Sequence, residues 1–212
     1  MRPISFTYAP TVSSANAICL AQQAASGASL VINGALASGG VATMGDQQTV
    51  TFTTTENDSA VNVVITGTDK PGNAVTETLA LPNSTVKSSV KYYYKITSLV
   101  VSGAVTANMT VGVNGLGASQ CYPLDLYLTA TKAVVAVTSV TGATYKLQYV
   151  YDDVYASTWP NATQVWFDHA TMTGKTAFTD ATLDNPVSGV RLVITAAANP
   201  QSISGRIIQS GE

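Results

Sequence analysis

The chain has 212 residues, 46% of them hydrophobic but only 10% charged, with a net charge of −2. An ordinary globular protein carries roughly 25% charged residues, so this surface must be built largely from Thr, Ser, Ala, Gly, Asn and Val. The ten Lys and Arg residues are scattered, which excludes a basic track for nucleic acid, and no apolar run approaches the ~20 residues of a membrane-spanning helix.

Weakly charged surfaces repel one another little, so such a chain suits packing against neighbours, although a secreted β-domain can share the composition. "MRPISFTYAP" at the N-terminus lacks the apolar stretch of a signal peptide. Cys19 and Cys121 are far apart in sequence and belong to no Cys-rich framework. Two reduced, buried thiols are expected.

In chain order, the first ambiguous stretch is "SANAICLAQQAAS", 14–26, whose apolar positions fit a helix or a strand equally. Beyond it the period is two. Val61, Val63 and Ile65 alternate with Asn62, Val64 and Thr66. "ITGTDKPGNAVTETL" then reads as a β-hairpin, Val61–Thr68 and Ala74–Leu81, turning at Asp69-Lys70-Pro71-Gly72-Asn73. Pro71 fixes φ, Gly72 and Asn73 tolerate positive φ, and the Asp69 carboxylate can accept the turn amides. Period two also puts Glu77 on the apolar face between Val75 and Leu79, where an inward charge can guard an edge or pair with a Lys. Tyr92 and Tyr94 alternate with Tyr93 and read as core plus interface.

"VGVNGLGASQCYPLDLYL", 111–128, looks like a junction too short and too apolar to be a free linker. After it, Tyr145, Leu147, Tyr149 and Tyr151 alternate with Lys146, Gln148 and Val150, and Ile203, Gly205 and Ile207 with Ser204, Arg206 and Ile208. Asn33-Gly34, Gly39-Gly40, Pro82-Asn83, Asn114-Gly115 and Thr141-Gly142 punctuate the pattern as turns. The prediction is an all-β chain with little or no helix, made of two antiparallel sandwich- or barrel-like units. The expected division is 1–116, holding the hairpin, and 117–212, with a long irregular loop over 152–185 that contains both tryptophans. A loop of that length is often an interaction surface.

Catalytic signatures are missing. His169 is the single histidine; Asp168 beside it is a chain neighbour rather than a partner across a cleft, and no nucleophile elbow accompanies the pair. "TGKT" at 173–176 lacks the upstream glycine of a phosphate-binding loop. Asp152 and Asp153 with Asp125, or Asp180 with Asp184, lack the ligand spacing of a calcium loop, and one His with two distant Cys makes no zinc set. Glu56, Glu77 and Glu212 fall in a turn, a strand and the terminus, a poor basis for a glycosidase pair. The Asn-x-Ser/Thr matches at Asn57, Asn83, Asn108 and Asn161 are what a Thr-rich chain produces by chance. No catalytic residue, metal site or cofactor is therefore expected.

"GTDKPGNAVTETLALP" followed by "ITSLVVSGAVTANMTVGVNG", and later "YKLQYVYDDVYA", "WFDHATMTGKTA", "NPVSGVRLVITA" and "RIIQSG", resemble a turn-and-strand pattern recurrent in small β-rich virion structural proteins of tailed bacteriophages. The resemblance spans most of the chain. It implies a non-enzymatic virion component assembled in the host cytoplasm, present in many copies, that decorates or cements the head. Its partners would be the major capsid protein or other virion proteins, together with further copies of itself, and neither nucleic acid nor membrane. Two alternatives stand beside it: a neck or tail adaptor or fibre-attachment protein, and a carbohydrate-binding β-module for attachment to a host surface. The expected anchors are the loop aromatics Tyr155, Trp159 and Trp166, since aromatic side chains dominate interface energetics.

Overall fold

The computed structural model describes residues 3–126, 132–156, 159 and 164–209. Among them there is no helix, and the strands are antiparallel. The fold is all-β. The chain forms two compact units, one over 10–117 and the other joining 1–9 to 118–212. The first nine residues thus leave the unit expected for them. Their strand β1 (Ile4–Tyr8) pairs with the last strand of the chain, Ile4 opposite Ile207 and Tyr8 opposite Ile203.

The 10–117 unit holds β2 (Ser14–Gln22), β3 (Ala37–Ser38), β4 (Val41–Gln48), β5 (Val50–Thr53), β6 (Asn62–Thr68), β7 (Ala74–Ala80), β8 (Val86–Ser88), β9 (Tyr93–Val101) and β10 (Met109–Val113). They form a four-stranded sheet, β2-β10-β5-β8, and a five-stranded sheet, β3-β4-β9-β6-β7. Both sheets contribute to one core, in which Ile18, Phe52 and Val111 meet Met44, Ile65, Ile96 and Leu99. The stretch that sequence left undecided is strand β2, because Ile18 and Cys19 pack into that core against β10. The chain crosses between the sheets at Thr49, the one residue separating β4 from β5. A strand that changes sheets interrupts its ladder, and polar side chains fill this corner: Asp46, Gln47, Gln48 and Thr49 are all buried.

The expected hairpin is β6–β7, with Thr68 opposite Ala74. Asp69 Oδ1 accepts the amides of Gly72 at 2.8 Å and Asn73 at 2.7 Å, and its Oδ2 accepts from the Asn73 side chain at 2.8 Å. Glu77 points inward from this edge strand, and its two carboxylate oxygens accept the amides of Val90 and Lys91, each at 2.9 Å. The Asp69 and Glu77 charges therefore hold turns in place.

The second unit contains, besides β1, strands β11 (Gly117–Ala118), β12 (Tyr122–Pro123), β13 (Ala133–Val150), β14 (Trp166–Asp168), β15 (Thr179–Leu183) and β16 (Gly189–Gln209). Its frame is the long ladder of β13 against β16, from Ala133 opposite Gln209 to Val150 opposite Gly189. At one end β15 and β1 extend the ladder; at the other, β14, β11 and β12 do so. Both strands are buried at their ends and largely exposed midway, over 138–142 and 195–200. The ladder is broken there, with Thr141 opposite Ser202 and Ala143 opposite Ala197, so Gly142 alone faces the bulged residues 198–201. The Phe6 ring from one end packs 5.6 Å from Tyr122 of the other, and the Gln209 side chain bonds the backbone of Asp125. The ladder thus doubles over at Gly142 and its ends become the two leaves of a sandwich.

The loop expected over 152–185 is a correction. β14 and β15 both lie in it and pair with β13. Between them the chain stays on the same edge: Leu147 bonds His169 and Met172, and Tyr145 bonds Lys175 in both directions. Met172 is fully buried, which ties the segment down. The remainder of that predicted loop includes 157, 158 and 160–163, and these lie outside the described residues, as does the Asn161 sequon.

Candidate functional site

Side chains of a strand alternate between its faces, so β14 divides its aromatic residues in two. Trp166 and Asp168 point one way, Phe167 and the following His169 the other.

On the first face, Trp159 meets Trp166 edge-on with ring centroids 6.0 Å apart. The Arg191 guanidinium lies 3.8 Å over the Trp166 ring, an arrangement in which a cation sits against the electron-rich ring face. Arg191 Nε also donates to Gln148 Oε1 at 2.8 Å, Gln148 Nε2 donates to Asp168 Oδ1 at 2.7 Å, and Lys146 Nζ donates to Asp168 Oδ2 at 2.8 Å. The Lys146 hydrogen bond, helped by Gln148 and by the Lys146 and Arg191 charges, pulls the Asp168 carboxyl below its ordinary pKa against a smaller desolvation cost. Asp168 is thereby committed to this chain of contacts and does not orient His169.

On the opposite face, Phe167 stacks on Tyr149 at 5.7 Å with planes 19° apart, and Tyr151 meets Phe167 edge-on at 5.5 Å. His169 closes the row, 6.5 Å from Tyr149. Its Nε2 lies 3.3 Å from the Thr182 carbonyl, which can only accept, so Nε2 donates there, and Nδ1 lies 3.3 Å from the Thr171 hydroxyl. This row is the outer continuation of the alternating stripe in β13: Tyr145 and Leu147 are fully buried, whereas Tyr151 is 47% and Phe167 42% exposed. A cavity of about 170 Å³ opens beside the row, lined by Tyr149, Tyr151, His169, Thr182, Asp184 and Asn185 among others.

Of the three anchors expected from sequence, Trp159 and Trp166 are brought together and half-buried, and Tyr155 stands apart at 72% exposure. The Tyr149–Tyr151–Phe167–His169 row was missed. Its signal was present in the period-two run ending at Tyr151, but sequence does not tell where along a stripe the core stops.

The remaining acidic, lysine and cysteine side chains singled out in the sequence take local structural contacts. Asp152 accepts the Val165 amide at 3.1 Å and Asp153 that of Tyr155 at 2.9 Å. Asp184 lies 3.6 Å from Lys132. Among the described residues no three His, Cys, Asp or Glu side chains converge as metal ligands. Lys175 of the "TGKT" stretch bridges to Tyr145. Cys19 is buried in one unit and Cys121 half-buried in the other, both as free thiols, and burial pushes each to a pKa of about 12. The chain matches no protein-family model and no curated protein.

Proposed function

We propose that this chain is a non-enzymatic structural component of a tailed-phage virion, a decoration or cement protein that reinforces the head by contacts with the major capsid protein and with its own copies. The observation that carries this reading is the exposed apolar margin of the C-terminal unit. The half-buried Trp159–Trp166 pair has exposed apolar surface next to it in the chain at Val165, and Tyr155 is exposed elsewhere on the same segment; aromatic anchors with apolar surface around them are the make-up of an interface hot spot. The phage-like turn pattern and the sparsely charged surface support the same reading. A specific contact needs only about 1,600 Å² in total, and repetition over a shell multiplies its strength.

Immunogold electron microscopy on purified particles, with antibody raised against the recombinant chain, tests the proposal. Gold spread over the head is the expected result. Gold confined to one vertex or the tail would replace decoration by a neck or attachment role. Particles free of gold would remove the virion reading in the form stated.

A further inference from the structure

The row on the outer face of β14 has no part in the Trp159–Trp166 contact, and its chemistry is different. Tyr151 and Phe167 offer aromatic surface to solvent. The cavity beside them is lined by hydrogen-bonding groups of the β15 edge and the turn after it, Thr182, Asp184 and Asn185. Among the described residues the Thr182 hydroxyl and the Asn185 amide make no hydrogen bond, and both residues are exposed. We propose that Tyr149 and Tyr151, with Thr182, Asp184 and Asn185, form a binding subsite for one ring of a neutral sugar.

Each part of the subsite has a reason. Aromatic faces carry negative potential and attract C–H bonds polarised by neighbouring oxygens, which is what the apolar face of a pyranose presents. The polar rim of a sugar ring needs paired donors and acceptors, and an amide, a hydroxyl and a carboxylate supply both. At about 170 Å³ the cavity is well under the 300–1,000 Å³ typical of pockets that enclose a drug-sized ligand, so it takes a single ring at the surface. Asp184 lines it with the Lys132 ammonium 3.6 Å from its carboxylate; the two charges offset each other, so the ligand is neutral. His169 has both ring nitrogens engaged within the protein and serves as a wall. A protein partner would suit a flat aromatic margin, as at Trp159, better than a ring-sized recess with free hydrogen-bonding groups.

This inference goes beyond the virion role and stands independently of it, since a sugar site can be assayed on the free protein. The test is a glycan array probed with the labelled full-length chain, followed by saturation-transfer NMR with the methyl glycosides of glucose, galactose, mannose and N-acetylglucosamine. Binding to neutral glycans is expected, reduced at least about tenfold in Tyr151→Ala and in Asn185→Ala, as loss of a stacking or hydrogen-bonding partner predicts, and unchanged in Trp159→Ala. Asn185 is exposed and makes no hydrogen bond among the described residues, so its variant remains informative if Tyr151→Ala perturbs folding. Absence of any glycan signal, a preference for acidic glycans, or binding indifferent to both variants would overturn the proposal. So would capture of the Tyr151 face by a virion protein in particle cross-linking without glycan binding.

Discussion

Lys70 Nζ lies 2.6 Å from Asp46 Oδ2, so the tip of the β6–β7 hairpin is fastened to the corner where β4 passes from one sheet to the other. The Lys70 amide adds a bond to Gln47 Oε1 at 2.6 Å. The Asp46 side chain is only 4% exposed while that of Lys70 is 34% exposed. A buried carboxylate left without its cation is costly, and partial water access to the lysine side moderates the cost. Lys70→Ala should lower unfolding stability by about 2 kcal/mol, measured by urea denaturation. A change within error would mean that water replaces the lysine.

Glu77 is the second internal fastening. Its carboxylate holds two backbone amides, at Val90 and Lys91, and its charge, after burial, raises the pKa of the neighbouring Tyr93 hydroxyl. Hydrogen bonds to a charged acceptor contribute about 1.5–3 kcal/mol net when buried, and less where water reaches them, as it does here. Glu77→Ala should cost about 2 kcal/mol and speed amide exchange at Val90 and Lys91. Unaltered exchange at those two amides would contradict the assignment.

Gly142 is set against Gly174 as a matched pair. Both have positive φ, +54° and +66° respectively, but a Cβ on Gly174 meets nothing within 4 Å whereas one on Gly142 collides with the carbonyl oxygens of Ala198 and Pro200. Gly174→Ala should therefore cost only the conformational term of about 1 kcal/mol, and Gly142→Ala about 3 kcal/mol or more. Both tryptophans belong to this unit, so their fluorescence during urea unfolding reports it directly. Equal losses for the two variants would remove Gly142 from the corner role.

Asp168 gives a pH prediction. Its folded pKa is lowered from 3.8, chiefly by the Lys146 hydrogen bond. A depressed carboxyl stabilises the fold above its unfolded pKa, and that contribution disappears as pH falls through 3.8 toward the lower folded value. Carboxyl NMR titration should place the Asp168 midpoint below 3.8, and Lys146→Met should raise it. A midpoint indifferent to Lys146 would show that the pair does not persist in solution.

Trp159→Ala tests the interface. Trp159 is half-buried against Trp166 but lies at the unit's margin, so the variant should stay folded while its occupancy on particles falls at least about tenfold, the effect of losing a hot-spot aromatic. Full occupancy would transfer the contact elsewhere, and loss of the folded signal would make Trp159 a core residue.

Local chemistry was enough to place the turn at 69–73 and the strands of the β6–β7 hairpin to within one residue at their outer ends, because Asp69, Pro71 and Gly72 impose local preferences that need no distant partner. Period two likewise put Tyr145 and Leu147 on one face of a strand, and both are buried. Other features waited on tertiary structure. Ser14–Gln22 became a strand only because β10 lies beside it, the edge pairing of β14 and β15 depends on a β13 ladder formed by residues far away in sequence, and β1 joins the end of the chain rather than its neighbours. The Tyr149–Phe167 row exists for the same reason. Alternation fixes which way a side chain points, but whether it meets a core or solvent depends on what packs against that face, and that is decided by non-local pairing.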